Sequence, residues 1–271
     1  MLINEVNEMD ERPIGLMDSG LGGLSVMRVL HKQLPNESLV FVGDQGHFPY
    51  GTRSQAELQR LVLNIGRFLV EQDIKMMIVA CNTATGAALP LLQRELPVPV
   101  IGVIEPGAIA AVHHQLETVG VIGTASTIEK GAYPATIHRL APQMTVYSHA
   151  AQAMVPVVEH GLTGTPQAQK TVNTALSFFD SHPVDGLILG CTHFPFLAPE
   201  IQQKMGPDVL LIDPAHETIK QAQAMLTEQD LLTDRNGGTI TLFTTGDRTD
   251  LVAGAKQWLA GQFTSCDHVD L

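Results

Sequence analysis

Positive charge is scarce in this chain. Its 16 Lys and Arg residues stand against 28 Asp and Glu, a formal net charge of −12. Nucleic-acid binding draws on stripes of Lys and Arg that neutralise phosphates, so no nucleic-acid partner is expected. Cysteine is scarce too: Cys81, Cys191 and Cys266 form a small, odd set, which excludes a disulfide framework as the basis of the fold. No apolar run reaches the length of about 18 residues at which a membrane span is suspected, so no membrane partner is expected. The opening stretch, Met1 to Arg12, carries Glu5, Glu8, Asp10 and Glu11 where a secretion signal would have a basic region and then an apolar one. A cytoplasmic chain is expected. Charged residues make up only 16%, which argues against long disordered tails.

Several catalytic signatures are missing as well. There is no G-x-S-x-G nucleophile elbow. Cys191 and His193 lie close together but lack a C-x-x-C or H-x-x-x-H partner, so no metal is expected. A pyridoxal-phosphate enzyme would need a buried lysine. Lys32, Lys75, Lys130, Lys170, Lys204, Lys220 and Lys256 all fall in polar surroundings, and none stands out. The loop Asp18-Ser-Gly-Leu-Gly-Gly-Leu-Ser25 has Ser25 where a dinucleotide fingerprint would have its third glycine. The loop follows a strand and opens a helix, so its unpaired N–H groups are expected to bind an anion or substrate, with a plain tight turn as the alternative.

What is present is a regular alternation of apolar strands and amphipathic helices, with 44% hydrophobic residues. Strands are expected at 14–17, 39–42, 76–80, 98–104, 119–122, 144–147, 187–189, 209–212 and, last, 239–243. Helices are expected near 24–34, 55–70, 83–95, 107–116, 127–140, 167–179 and 251–259. The strands read as continuous apolar runs, the pattern of strands buried on both faces of a parallel sheet. The fold class is therefore α/β. Residues 1–105 with 217–271 are expected to form one lobe and 106–216 a second.

Two segments share a design. Met77-Ile-Val-Ala-Cys81-Asn-Thr83 and Leu187-Ile-Leu-Gly-Cys191-Thr-His193 each run from an apolar strand through a small residue to a cysteine and then to polar residues. Each cysteine thus falls at the C-terminal end of a parallel strand, the edge where open α/β sheets bind ligands. Two similar lobes would set the thiols on opposite walls of one cleft. Two such groups suit inversion at an amino-acid α-carbon: a thiolate removes the proton from one face and a thiol returns one to the other. Asn82, Thr83 and Thr192 are suitable donors for a carboxylate gaining charge. Asp18, which ends an apolar strand, and His193 are placed to tune the thiols. Glu159 by itself reads as a solvated helix-end carboxylate. In the turn Pro49-Tyr-Gly-Thr-Arg53, backbone N–H groups and the Thr52 hydroxyl are candidates to close over a substrate, with a structural turn the equal alternative.

These features together resemble the glutamate racemase family. The matching stretches are Asp18-Ser-Gly-Leu-Gly-Gly, Gly43-Asp44, Pro49-Tyr-Gly-Thr-Arg53, Ala80-Cys-Asn-Thr-Ala84, Val121-Ile-Gly-Thr124 and Gly190-Cys-Thr-His193, in the expected order. The resemblance implies two α/β lobes with mainly parallel sheets facing each other across the active site, and no cofactor. It implies Cys81 and Cys191 as the acid/base pair, with Asp18, Glu159 and His193 as their polar neighbours. It places Asp18, Ser19, Tyr50, Gly51, Asn82, Thr83, Thr192 and His193 at the substrate. It further implies D-glutamate supply for bacterial peptidoglycan, and a homodimer.

Departures from the family pattern are also visible. Gln45-Gly-His47 stands where a small polar residue, Ala and a basic residue are usual, and Ala151-Gln152 where Cys-Pro is common. Both are expected to reshape a wall of the pocket. The stretch before the first strand is short for an activating N-terminal extension. Aspartate racemases, the nearest alternative, tend to carry Glu after Gly-Cys-Thr; His193 in that place favours glutamate. A non-catalytic dicarboxylate-binding protein is the alternative from another class.

Overall fold

The computed structural model describes residues 10–271. The acidic start read at Glu5 and Glu8 lies outside the described residues. The first half of the chain runs β1 (Ile14–Asp18), α1 (Leu24–Gln33), β2 (Leu39–Gly43), α2 (Gln55–Glu71), β3 (Met76–Val79), α3 (Asn82–Glu95), β4 (Val100–Gly102) and α4 (Ile104–His113). It continues with β5 (Thr118–Gly123), α5 (Ala125–Glu129), α6 (Ala132–Leu140), β6 (Thr145–Ala150), α7 (Val155–Glu159), α8 (Pro166–Ala175), β7 (Gly186–Gly190), α9 (Ala198–Met205) and β8 (Leu210–Ile212). α10 (Pro214–Glu228), β9 (Ile240–Thr244), α11 (Arg248–Trp258) and β10 (Ser265–His268) complete it.

The strands form a six-stranded sheet, β10-β9-β2-β1-β3-β4, and a four-stranded sheet, β6-β5-β7-β8. Every pairing is parallel. The fold is α/β, as the apolar runs imply: β1, β2, β3, β4 and β7 are buried along their whole length. The order β2-β1-β3-β4 reappears as β6-β5-β7-β8, so the two sheets repeat one winding. Each repeat reverses direction beside its first strand, between β1 and β3 and between β5 and β7. Such a reversal opens a crevice at the carboxyl ends of the strands. The chain passes from one sheet to the other through α4 and returns through α10, and these two helices pack together.

The departures from the sequence-based expectation have local causes. The strand expected over 98–104 is only Val100–Gly102, because α4 already begins at Ile104; the helix expected near 107–116 is displaced with it. The helix expected over 127–140 breaks into α5 and α6 at Gly131, which adopts a left-handed φ of 62°. The helix expected over 167–179 ends at Ala175 and tightens into a 3-10 turn, Ser177–Asp180. Three unanticipated helices, α7, α9 and α10, all carry proline in the first turn. Proline there punctuates the sequence yet fits a helix, since the N–H it lacks would have no partner in the helix. The last strand is β10 rather than β9. β10 is a polar sheet edge in which Cys266 alone is buried, so it has no apolar run to find.

Lys75 also departs from expectation. It is buried, with Nζ 2.6 Å from Glu37 Oε2 and donating to the carbonyls of Asp10 and Leu231 at 2.8 and 2.7 Å. It sits just before β3, at the opposite end of the sheet from the crevice. Among the described residues no group of three or more His, Cys, Asp or Glu is placed to hold a metal, and no helix is long and apolar enough to cross a membrane. Removing one member of a buried ion pair leaves the other charge uncompensated. Glu37→Gln is therefore expected to destabilise the fold by about 3 kcal/mol in urea unfolding while leaving the chemistry at the far end of the sheet intact.

Candidate active site

The crevice ends of the two sheets face each other. β3 delivers Ala80 and then Cys81, which caps α3: its sulfur accepts the Ala84 N–H at 3.5 Å and its thiol faces Ser19 Oγ at 3.8 Å. β7, the equivalent strand of the other lobe, delivers Cys191. Both thiols are buried, and both line one pocket of about 350 Å³, counted to its mouth. Ser19, Tyr50, Gly51, Asn82, Thr83, Thr192 and His193 line it with them, as do Phe48, Pro49, Thr124, Gln152, Val155 and Gly190.

The two cysteines have different neighbours. Burial, reinforced by the nearby Asp18 carboxylate, pushes the Cys81 thiol up to about 12. Cys191 Sγ lies 3.6 Å from His193 Nδ1, and His193 Nε2 lies 2.5 Å from Glu159 Oε1. Burial works against a charge on His193. The hydrogen bonds to Cys191 and Glu159 outweigh it and hold the imidazole well above its ordinary value. A cation is thereby kept beside the Cys191 sulfur. Glu159 does not line the pocket. It acts on it through His193, at the end of α7, a helix the sequence did not announce.

Asp18 lies beneath the pocket with no exposed surface. It accepts from the Gly20 N–H and, across the lobes, from Thr192 Oγ1, both at 3.1 Å. Thr192 is held a second time by the first lobe: Ser25 Oγ donates to its carbonyl at 2.9 Å. The glycine loop serves this closure. A Cβ on Gly22 would stand 2.2 Å from Thr192 Oγ1 and 2.7 Å from His193 Nδ1. The N–H groups of Gly20, Leu21, Leu24 and Ser25 go to Asp18, Glu159, Leu21 and Gly22, and of the loop only Ser19 lines the pocket.

The opposite rim is held by Asp44, which accepts from Tyr50 Oη at 2.5 Å and from Thr245 Oγ1 at 2.6 Å. Thr52 takes no part; it is exposed, and its hydroxyl turns back to the Pro49 carbonyl. Gln45 and His47 do not line the pocket either. Gln45 Oε1 accepts from Thr244 Oγ1 and His47 Nδ1 pairs with Asp44 Oδ1, both at 2.8 Å, so His47 meets the rim only through the carboxylate that holds Tyr50. Gln152 does line the pocket, beside Gly51. Thr83, Thr124 and Thr127 join their hydroxyls across the lobes at 3.0 to 3.2 Å. Thr124 ends a stretch that carried the resemblance, a signal that could have marked it. Phe48 and Val155 carried no signal, because an apolar residue in a loop or helix looks the same whether it faces a core or a pocket.

Residues 14–222 match the Asp/Glu/hydantoin racemase family. The chain is 60% identical over 263 residues to a glutamate racemase of Limosilactobacillus reuteri, spanning 97% of this chain and 98% of that one. Among solved structures, a glutamate racemase isoform of Bacillus anthracis superposes with a TM-score of 0.93 at 40% identity, covering 97% of this chain and 98% of the other. A glutamate racemase of Francisella tularensis, in complex with D-glutamate, gives a TM-score of 0.89 at 33% identity, covering 97% and 98%.

Asp18 offers a direct check on the electrostatics. Burial raises its carboxyl to about 6, against opposition from His193 and from the Gly20, Gly23 and Thr192 hydrogen bonds. The folded state thus keeps a proton that the unfolded chain releases near pH 4. The stability this proton gives is full below that pH and gone once the pH has risen through about 6, a loss of about 3 kcal/mol. Carbon-13 NMR of the Asp18 carboxyl should titrate near pH 6. A midpoint in the ordinary aspartate range would show that the carboxylate is solvated.

Proposed function

The chain belongs to the Asp/Glu/hydantoin racemase family and is a racemase, an isomerase; from that premise we propose that it interconverts L- and D-glutamate by passing the α-proton between Cys81 and Cys191. One observation carries the proposal: two buried thiols, at equivalent strand ends of two lobes, line a single pocket. A base on one face of the α-carbon and an acid on the other are what inversion requires, and no third group need intervene.

The surroundings prime the pair unequally. With His193 protonated at its side, Cys191 enters as thiolate and takes the α-proton. Cys81, held as a thiol by burial and by Asp18, gives its proton to the opposite face. Cys81 is left as thiolate and Cys191 as thiol, the pairing needed for the reverse conversion. Charge developing at the α-carbon spreads into the substrate α-carboxylate, so donors aimed there lower the barrier. Asn82 and Thr83, set beside Cys81, supply them, while the Thr192 hydroxyl lines the pocket with its proton given to Asp18. Ser19 lies against Cys81, and Tyr50 and Gly51 form the rim that meets the distal carboxylate. Asp18 and Glu159 act on the thiols, Asp18 near Cys81 and Glu159 through His193.

Glutamate is favoured over aspartate by the glutamate racemases to which the chain is 60% and 40% identical and by the D-glutamate complex of the Francisella enzyme. His193 after Gly190-Cys-Thr points the same way. We place the enzyme in the bacterial cytoplasm, as a homodimer that supplies D-glutamate to peptidoglycan synthesis.

Incubation with L- or D-glutamate in D2O, without added cofactor, tests the reading. Each enantiomer should invert, and the product should carry deuterium at the α-carbon. Failure of both would sink the glutamate assignment. Cys81→Ala and Cys191→Ala should each lower inversion by roughly a thousandfold, within the range lost with a positioned general acid or base. The remaining cysteine should still exchange the α-proton of one enantiomer only, and the two variants should choose opposite enantiomers. Exchange of the same enantiomer by both would contradict two bases on opposite faces.

A further inference from the structure

Tyr133 lies outside the pocket lining, on α6 of the second lobe, and its side chain is 1% exposed. Its hydroxyl crosses the lobe boundary and donates to Asn82 Oδ1 at 2.7 Å, a contact buried on both sides. Asn82 directly follows Cys81, opens α3 and lines the pocket. The ring of Tyr133 lies against the strand end that carries the other cysteine: a Cβ on Gly190, which precedes Cys191, would stand 3.1 Å from Cε2. A Cβ on Gly107 of α4 would stand 3.1 Å from Cε1 on the ring's other edge. One side chain thus touches the residue after one thiol and the residue before the other.

We propose that Tyr133 is a positioning residue for racemisation: it fixes the orientation of the Asn82 amide, so that its N–H groups face the substrate carboxylate, and gauges the separation of the two cysteine-bearing strand ends. The inference rests on the two-cysteine reading above and adds to it how Asn82 is oriented. A primary amide has an accepting end and a donating end of nearly equal size, and only its partners decide which way it turns. Burial holds the Tyr133 hydroxyl well above its ordinary value, so it stays protonated and donates. Its acceptor is the Asn82 oxygen, which leaves the NH2 as the end free to donate. Without that bond the amide can turn its oxygen toward the substrate carboxylate, where it would repel the charge that develops.

The test starts from the parent enzyme with both enantiomers of glutamate. Tyr133→Phe keeps the ring against Gly190 and removes only the hydroxyl. A hydrogen bond to a charged group is worth about 1.5–3 kcal/mol, so kcat/KM should fall roughly tenfold or more while Tm stays above the assay temperature. Asn82→Ala should also fall, and the double variant should be no slower than Asn82→Ala alone, because Tyr133 acts through Asn82. Multiplying losses, or a Tyr133→Phe enzyme with the parent's kcat/KM, would overturn the proposal.

Asn82→Asp gives a second check should Tyr133→Phe fold poorly. It keeps an acceptor for Tyr133 but has no N–H to offer and sets a negative charge beside the substrate carboxylate, so it should be at least as impaired as Asn82→Ala. Parent-like activity there would show that Asn82 donates nothing, and would overturn the proposal as well. A parent that turns over neither glutamate nor aspartate would instead overturn the two-cysteine reading and this inference with it.

Discussion

A fully buried carboxylate at the end of β1 ties the molecule together. Asp18 is satisfied by the glycine loop that follows it and by Thr192 from the other lobe, with the His193 charge close enough to oppose its protonation. That pairing sets how closely the lobes approach, and the approach is close enough to require glycine at position 22. The same carboxylate helps to keep the Cys81 thiol protonated. Closure of the lobes and the protonation state of one thiol therefore share an origin. A buried carboxylate costs stability, and such groups gather where an environment is tuned for chemistry.

The repeated winding explains why two cysteines so far apart in sequence meet. In each lobe the cysteine follows the strand just past the reversal of order, β3 in one and β7 in the other. Facing two such sheets crevice to crevice puts equivalent positions on opposite walls. Local equivalence does not extend to the neighbours. Cys81 caps a full helix and sees Asp18, while Cys191 precedes a 3-10 turn and sees His193 backed by Glu159. The geometry is close to symmetric and the electrostatics are not, as the proposed transfer from a substrate to one thiolate and from one thiol requires.

Much of the candidate site was legible because strand-end motifs are local. An apolar run followed by a small residue, Cys and polar residues marks a crevice whatever lies elsewhere, so Cys81, Asn82, Thr83, Cys191, Thr192 and His193 were named from the sequence. Glu159 came only through the family resemblance, since its short helix opens with a proline and its carboxylate looks solvated until His193 arrives. Lys75 was passed over for a related reason. Its ammonium is buried by Glu37 and by carbonyls remote in sequence, and no local pattern signals that.

The sequence by itself determined the parallel α/β architecture, the placing of two thiols at strand ends and the family, because periodicity and motif spacing are set by neighbours along the chain. Only the tertiary structure decided what each polar group does. It showed that the glycine loop seats the opposite lobe, that Gln152 and not Gln45 or His47 faces the pocket, and that Tyr133 reaches Asn82. Those outcomes depend on contacts between segments far apart in the chain, where burial and hydrogen-bond partners are settled by packing and not by the residues alongside.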